Sequence, residues 1–255
     1  MTSLMPAVFV GHGSPMNALP GSPYAAGWRA LGESLPRPRA ILAVSAHWET
    51  DGVAVTAQAH PPTIHDFRGF PQALFDMRYP APGAPDLVAR IGALLAPTPV
   101  AGSDGWGFDH GAWSVLAHLF PDADVPVVQL GLDRALDARG HYELALKLRP
   151  LRDEGVLILG SGDIVHNLRA MRQGPAHDWA ARFDARIQTA LAAGDIDTVT
   201  AIDADEDARL SVPDREHYWP ILYAAAQRDP GEPIRFFNHG VDLGAVSMTS
   251  FVVGG

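Results

Sequence analysis

The segment VLILGSG (156–162) decides the fold class of this 255-residue chain. It is a short, uninterrupted run of apolar residues that ends in glycines, which is typical of a strand buried on both faces of a parallel sheet. Runs of the same kind occur at 7–10 (AVFV), 40–46 (AILAVSA) and 125–130 (VPVVQL). Together the four runs predict a mostly parallel central sheet.

Helical patterns separate these runs. Apolar residues recur with helical spacing at 85–96, 111–120 and 141–155, and the last of these segments ends at a glycine suited to a helix C-terminus. An alternation of buried strands and helices is typical of α/β proteins. We therefore predict a single-domain α/β sandwich, in which helices flank a mixed but mostly parallel sheet.

The C-terminal third continues the alternation. Helices are predicted at 177–194 and 216–228, and strands at 234–238 and 246–253. These last two strands are expected to pair antiparallel and to form one edge of the sheet.

Two stretches dense in proline and glycine, 58–84 and 97–109, are predicted to be long loops. No internal repeat or domain boundary is evident. Apolar residues make up 47% of the chain and charged residues 19%, as in compact globular proteins. The sequence thus predicts one catalytic domain over residues 1–255.

The charge and the composition exclude several classes of function. A formal net charge of −10 disfavours nucleic acid and anionic membranes as partners, because both attract clustered Lys and Arg. There are no cysteines, so any metal site must use His, Asp or Glu. The first residues lack the pattern of a signal peptide and no apolar run is long enough to span a bilayer, so a cytoplasmic location is expected.

Three histidines follow predicted strands. His12 comes directly after the first run, His47 directly after the second, and His166 four residues after 156–162. In open α/β sheets, ligands bind in the crevice at the carboxyl ends of the strands. A single histidine after a strand more often bonds only to its neighbours, but three at one sheet edge predict a site.

Further histidines have aspartate or glutamate beside them. His65 precedes Asp66, and His110 follows Asp109, which could instead cap the helix that starts there. His217 follows Glu216, so two candidate ligands stand side by side. Adjacent helical residues point about 100° apart, so one of the two is expected to face the metal.

Short catalytic motifs are missing. The sequence contains no HExxH zinc motif and no GxSxG nucleophile elbow, and GSGD (160–163) lacks the lysine of a P-loop. A site built from His12, His47 and His217 would therefore be assembled by the tertiary fold.

Seven segments also resemble a known family, the class III (LigB-type) extradiol ring-cleavage dioxygenases, in their bacterial and plant DOPA 4,5-dioxygenase branch. The resemblance runs in order from residue 6 to about residue 250. The segments that carry it are MPAVFVGHGSPMNAL (5–19), SAHWET (45–50), PPTIHDFRGFPQALFDMRYPAPG (61–83), WGFDHGAWSVL (106–116), PDADVPVVQL (121–130), GSGDIVHNLR (160–169) and REHYWPILYAA (215–225).

The resemblance implies a metal centre made by His12, His47 and His217, with His166 as an acid/base or a further ligand. It also implies that His110 and His65 lie on the substrate side, His110 as a second catalytic residue. Other class III enzymes use two histidines and one glutamate, the triad that favours Fe(II). Three imidazoles suit zinc equally well, so we expect one divalent ion, Fe(II) for activity and Zn(II) in purified protein.

The implied reaction is insertion of O2 into a catechol ring, with 4,5-cleavage of a DOPA-like substrate to a semialdehyde. A zinc-dependent hydrolase and a non-catalytic binding protein on the same fold are the alternatives. The expected partners are a small-molecule catechol and O2, with the chain a monomer or a small homo-oligomer. Candidate contacts to the substrate ring are Trp48, Phe67, Phe70, Trp106 and Phe108, and candidate partners of a substrate carboxylate are Arg68, Arg78 and Arg169.

Overall fold

The computed structural model describes residues 4–203 and 205–255. Its strands are β1 (Ala7–Gly11), β2 (Ala40–Thr50), β3 (Val53–Thr56), β4 (Val100–Ser103), β5 (Val127–Asp133), β6 (Val156–Gly162), β7 (Ile234–Phe237), β8 (Val241–Asp242), β9 (Val246–Ser247) and β10 (Ser250–Val253). Eight of them form one sheet in the order β4-β3-β5-β2-β6-β1-β10-β7, and β8 pairs with β9.

The centre of the large sheet is parallel, as predicted. Strands β5, β2, β6 and β1 pair in parallel, in that order. Every residue of β1, β5 and β6 is buried, which explains why these segments are continuous apolar runs. At one edge, β10 pairs antiparallel with both β1 and β7, so the predicted pairing of the last two strands is confirmed.

Within residues 4–203 and 205–255, ten α-helices surround the sheet. They are α1 (Ala25–Ser34), α2 (Gln72–Asp76), α3 (Pro85–Leu95), α4 (His110–Leu119), α5 (Ala138–Leu146), α6 (Pro150–Asp153), α7 (Asp178–Ala193), α8 (Ile196–Thr200), α9 (Glu206–Ser211) and α10 (Trp219–Ala225). Short 3-10 helices cover Pro15–Ala18, Leu168–Ala170 and Arg215–His217. Within the described ranges, none of the helices combines the length and apolarity needed to cross a membrane.

Two hydrophobic cores lie on opposite faces of the sheet. Alternate residues of β1 point to different cores: Phe9 belongs to the core that includes residues of α3, α5, α7 and α10, whereas Val8 and Val10 belong to the core that includes residues of α1 and α4. Trp28 of α1 and Trp113 of α4 are the largest side chains of the second core and are fully buried. The predicted α/β sandwich is therefore confirmed.

The strands at the opposite edge of the sheet, β3 and β4, were not predicted from the sequence. The segment 97–109, predicted to be a loop, contains β4, which pairs with β3 at the sheet margin. Its residues, VAGS, are small and only partly buried, so they lack the apolar pattern of a central strand. The run 246–253, predicted to be one strand, is divided into β9 and β10 and serves two different sheets.

Proline explains the differences among the helices. The pattern at 141–155 is divided into α5 and α6, and Pro150 occupies the first turn of α6. The predicted helix at 216–228 begins later, at Trp219, because Pro220 takes its first turn. His217 consequently ends a separate 3-10 helix instead of starting the α-helix. The predicted loop at 58–84 includes the short helix α2.

Candidate metal centre

The histidines that follow the parallel strands meet at the carboxyl edge of the sheet. His12 comes directly after β1, and His47 lies in β2 where the pairing with β5 shifts register between Val44 and Glu49. Such irregularities redirect side chains. The ring centroid of His12 lies 5.1 Å from that of His47 and 5.4 Å from that of His217. The ring centroids of His47 and His217 are 4.9 Å apart.

The hydrogen bonds of His12 fix which nitrogen faces its neighbours. The hydroxyl of Ser161 donates to the carbonyl of Gly111, so at 3.0 Å it accepts the Nδ1 proton of His12. The Nε2 atom of His12 therefore carries a lone pair, and it lies 3.1 Å from Nε2 of His47. Two imidazole ligands of one ion, each at about 2.0–2.1 Å from it, are separated by about 3.0–3.4 Å. The two atoms are spaced like ligands of one metal ion.

Glu216 orients His217. The Nδ1 atom of His217 donates to Oε1 of Glu216 at 2.9 Å, which leaves Nε2 with its lone pair free. A carboxylate that accepts the second ring proton of a histidine is the usual support for a metal ligand. Of the two adjacent candidates, His217 thus has the free donor atom and Glu216 holds it in place.

Burial keeps these imidazoles neutral. The pKa values of His12, His47 and His217 are lowered well below their usual range, first by burial and then by repulsion from neighbouring histidines. Only the neutral imidazole can donate a lone pair to a metal. The group is therefore in its ligand form near pH 7.

His166 lies against this group. Its ring stacks on that of His217, with centroids 3.4 Å apart and 5° between the planes. Burial and then the charge of His110 lower the pKa of His166 to about 4, opposed by Asp214. A neutral His166 has a lone pair suited to a ligand or to a base.

Asp66 joins His110 to His47. Its carboxylate accepts the Nδ1 proton of His110 at 2.9 Å and the His110 backbone amide at 2.8 Å, and it lies 3.5 Å from Nδ1 of His47. Burial opposes the charge of Asp66, but the hydrogen bond from His110 and the nearby histidine charges lower its carboxyl pKa. From the sequence alone, Asp66 is recognisable only as the neighbour of His65.

Asp109, the other adjacent aspartate, has the capping role considered as the alternative. Its side chain accepts the Ala112 amide at the start of α4. It also accepts hydrogen bonds from the side chains of Ser45 and Gln129, and it is fully buried. It therefore supports the loop that presents His110.

Asp163 is a site residue that the sequence analysis missed. It follows β6 directly, and its Oδ2 atom lies 3.8 Å from Nε2 of His12. Donor atoms of His12, Asp163 and His217 all lie within 4.8 Å of one another. Burial raises the pKa of the Asp163 carboxyl well above its usual range. The available signal was an aspartate placed directly after a strand and two glycines in GSGD (160–163).

This donor set fits a divalent metal ion. It offers neutral imidazoles and the carboxyl groups of Asp163 and Glu216, which are kinds of ligand that both zinc and non-haem iron use. Asp163 Oδ2 is buried and has no hydrogen-bond partner among the described residues, as expected for an atom that a cation would satisfy. The cluster could therefore hold one divalent ion.

A cavity of about 720 Å³ opens beside the cluster. Four histidines, His47, His110, His166 and His217, line it, and Phe67 and Phe70 form an aromatic wall. Other residues of the lining include Gly13, Ser14, Pro15, Asn167, Leu168, Arg169, Met171, Asp214, Glu216, Asp242, Leu243, Val246 and Met248. A mostly apolar cleft with a few polar groups at one end is typical of a small-molecule site.

Several predicted substrate contacts lie elsewhere. His65 does not line the cavity; its Nε2 bonds to the Met77 carbonyl, and its ring packs 5.7 Å from that of Phe67. Trp48 and Trp106 stack on each other outside the lining, and Phe108 is fully buried in the core. These aromatic rings pack against other protein side chains. The sequence alone does not distinguish an aromatic residue that packs in this way from one that contacts a ligand.

Of the three candidate arginines, the cavity is lined by Arg169 alone. Arg78 donates to the carbonyls of Phe75 and Met77. Arg68 is not part of the lining.

Residues 7–251 match the family described as the catalytic LigB subunit of aromatic ring-opening dioxygenase. The chain belongs to the LigB family. Among LigB-type relatives, a 4,5-DOPA dioxygenase extradiol from Escherichia coli (strain K12) is 47% identical over 98% of this chain and 95% of that protein. One from Beta vulgaris is 38% identical over 95% of this chain and 94% of that protein.

The LigB fold is also found in a solved structure. The crystal structure of an uncharacterized protein from Escherichia coli K12 matches with a TM-score of 0.86 and 40% identity, covering 98% of this chain and 100% of that one. The resemblance stated from the sequence is thus confirmed. The chain is a LigB-type extradiol dioxygenase, an enzyme that acts on a small aromatic molecule and O2.

Proposed function

We propose that this LigB-type enzyme cleaves a DOPA-like catechol at the 4,5 position and yields a semialdehyde. The observation that carries the proposal is the convergence of neutral His12, His47 and His217 beside a cavity that Phe67 and Phe70 line. Relatives named 4,5-DOPA dioxygenase extradiol support the choice of substrate.

The proposed ligands of the metal are His12, His47 and His217. Each has its Nδ1 atom beside an oxygen, from Ser161, Asp66 and Glu216 respectively, which leaves Nε2 for the ion. The proposed ion is Fe(II) in the active enzyme and Zn(II) in purified protein. Fe(II) would supply the electron transfer between catechol and O2, for which zinc has no redox chemistry.

Two histidines that line the cavity, His166 and His110, would exchange protons or form hydrogen bonds with the substrate. His166 is the proposed base that accepts the proton of a catechol hydroxyl on a ring nitrogen and returns it later, a task that a neutral imidazole performs well. A role as fourth ligand is the alternative for His166. His110 would bind substrate oxygen through Nε2, because its Nδ1 proton is donated to Asp66.

The far end of the substrate would meet Arg169. It is the single arginine or lysine in the cavity lining, and its guanidinium forms no ion pair or hydrogen bond within the part of the chain that the structure describes. An arginine fork matches a carboxylate geometrically. Phe67 and Phe70 would flank the ring between this end and the histidines.

Three broader expectations accompany this proposal. Residues 1–255 would form one catalytic domain, since a single eight-stranded sheet extends from β1 to β10. The enzyme would be cytoplasmic, and a monomer or a small homo-oligomer. Sedimentation of the purified protein would determine the oligomeric state.

Oxygen uptake with isotope tracing tests the proposed reaction. Protein loaded anaerobically with Fe(II) receives DOPA and then 18O-labelled O2. We expect O2 consumption, a coloured product and one labelled atom retained in its new carboxylate, while the second labelled atom, in the aldehyde, exchanges with water unless the aldehyde is reduced at once. The zinc-loaded protein is the matched control and should consume no O2. Iron-loaded protein that consumes no O2 with DOPA or with simpler catechols would overturn the proposal.

A further inference from the structure

Hydrogen bonds connect Asp163 to the two segments that carry His12 and His217. Its Oδ1 accepts the amide of Gly13, next to His12, at 3.0 Å. Its own amide donates to the carbonyl of His217 at 2.8 Å. A side chain on the preceding Gly162 would meet that carbonyl at 2.2 Å, so the close approach requires glycine. The position of this carboxylate is therefore set by the same backbone that sets His12 and His217.

The second oxygen of Asp163 has no donor to satisfy it. The side chain is fully buried, and Oδ2 has no hydrogen-bond partner among the described residues. His12 Nε2 is 3.8 Å away, but the proton of that ring is used at Ser161. The Nδ1 proton of His217 is used at Glu216. A buried carboxylate without a partner is strongly unfavourable, so in the absence of a metal burial favours the protonated carboxyl, and a cation bound at Oδ2 would stabilise the ionised form.

We propose that Asp163 is an anionic ligand of the metal centre, with Oδ2 bound to the ion held by His12 and His217. Two ligands at normal distances from one ion can be separated by up to about 4.2 Å, so the 3.8 Å between Oδ2 and His12 Nε2 is compatible with one ion. The inference rests on the proposed metal site and changes its charge: the ligand set is no longer neutral. A carboxylate among the imidazoles is the combination that favours Fe(II).

Asp163→Asn tests this ligand. It keeps the size of the side chain and an oxygen for the Gly13 amide, but removes the charge. We expect the metal-free variant to be at least as stable to heat as metal-free wild type, because the variant removes a buried carboxyl group whose Oδ2 atom has no hydrogen-bond partner in the described chain. We expect its Co(II) affinity, measured by chelator competition, to fall at least about tenfold, with a changed visible spectrum of the bound Co(II).

Asp184→Asn is the matched control. Asp184 is also buried, but its oxygens accept the side chains of Ser247, Thr249 and Gln188, away from the cluster. This variant should lose stability equally with and without Co(II) and keep the wild-type Co(II) affinity. Asp163→Asn behaving in that way would overturn the inference and assign Asp163 a structural role.

The wild-type protein provides an independent measurement that needs no variant. In a crystal structure of the zinc-loaded enzyme, we expect Oδ2 of Asp163 at about 2.0–2.2 Å from zinc. Zinc held by the histidines with Oδ2 beyond ligand distance would overturn the inference and leave the proposed function standing. Wild-type protein that binds neither Zn(II) nor Co(II) would overturn both.

Discussion

The imidazole of His166 lies flat on that of His217, with 3.4 Å between the ring centroids and 5° between the ring planes. The backbone amide of His166 donates to the carbonyl of Ser211 at 2.8 Å, which fixes the backbone that carries the ring. Both rings line the cavity, but only the Nδ1 proton of His217 is donated to a carboxylate, that of Glu216, whereas the ring of His166 forms no hydrogen bond in the described chain. This difference agrees with the proposed roles, His217 as a metal ligand and His166 as a base.

Replacing His166 separates its two possible roles. We expect His166→Ala to retain at least part of the bound metal and to lose most of its activity, about 100-fold or more, as for a lost general base. Metal content by mass spectrometry and O2 uptake with Fe(II)-loaded protein measure the two effects. His217→Ala is the comparison and should lose the metal itself. A clean loss of metal from His166→Ala would instead make His166 a principal ligand.

His12→Ala and His47→Ala should each abolish metal binding, because the two Nε2 atoms lie 3.1 Å apart, the spacing of two ligands of one ion. The measurement is stoichiometry after purification without chelator, followed by zinc titration. His65→Ala is the control, since its side chain bonds to the Met77 carbonyl outside the cavity lining, and it should bind metal like wild type. Stoichiometric metal in either of the first two variants would remove that histidine from the site.

Arg169→Leu should weaken binding of catechols that carry a carboxylate. We expect KM for DOPA to rise about fivefold, or roughly 1 kcal/mol, the upper end for an exposed ion pair. The KM for dopamine, which lacks the carboxylate, should stay unchanged. Arg68→Leu is the control because Arg68 does not line the cavity. Equal changes in KM for DOPA and dopamine would show that Arg169 does not bind the substrate carboxylate.

His141, which is not one of the clustered histidines, should make the free energy of unfolding depend on pH. Burial lowers its pKa to about 4, its Nδ1 bonds to the Tyr223 hydroxyl, and its Nε2 has no partner in the described chain. The unfolded state binds the proton more readily than the folded state. The contribution of neutral His141 to the free energy of unfolding is therefore fully present above about pH 6.5 and is lost as the pH falls toward 4. By pH 5 the loss from this group is about 2 kcal/mol.

Urea unfolding of metal-free protein at pH 7 and pH 5 measures this effect, with His141→Gln as the comparison. The variant should be less stable at pH 7 but lose about 2 kcal/mol less than wild type between the two pH values. Because the clustered histidines are present in both proteins, the difference isolates His141. Identical pH dependence would contradict the prediction.

Gly162→Ala should damage both the fold and the metal centre. The added carbon would meet the His217 carbonyl at 2.2 Å, so that segment must move. We expect a loss of about 1–3 kcal/mol in unfolding free energy, typical of overpacking, together with weaker zinc binding. Gly92→Ala in α3, where the new carbon meets nothing within 4 Å, should instead stabilise the protein by about 0.5–1 kcal/mol. Similar behaviour of the two variants would contradict the close approach.

The sequence by itself determined the α/β class and the edge of the sheet at which the site lies. Strands buried on both faces must be apolar throughout, so 7–10, 40–46, 125–130 and 156–162 could be recognised without knowing their partners. Parallel strands end at the same edge, so residues directly after them share one crevice. His12 and His47 were accessible to this reasoning, and the family resemblance added His217.

Only the tertiary structure decided what each polar side chain faces. Asp163 and Asp66 became site residues because their oxygens lie near histidines distant in sequence, whereas His65 turns to the Met77 carbonyl. A local pattern specifies the backbone of an element, but the partners of a donor or acceptor come from other elements that pack against it. The unpaired oxygen of Asp163 is such a property, since it depends on protons of His12 and His217 already being used at Ser161 and Glu216.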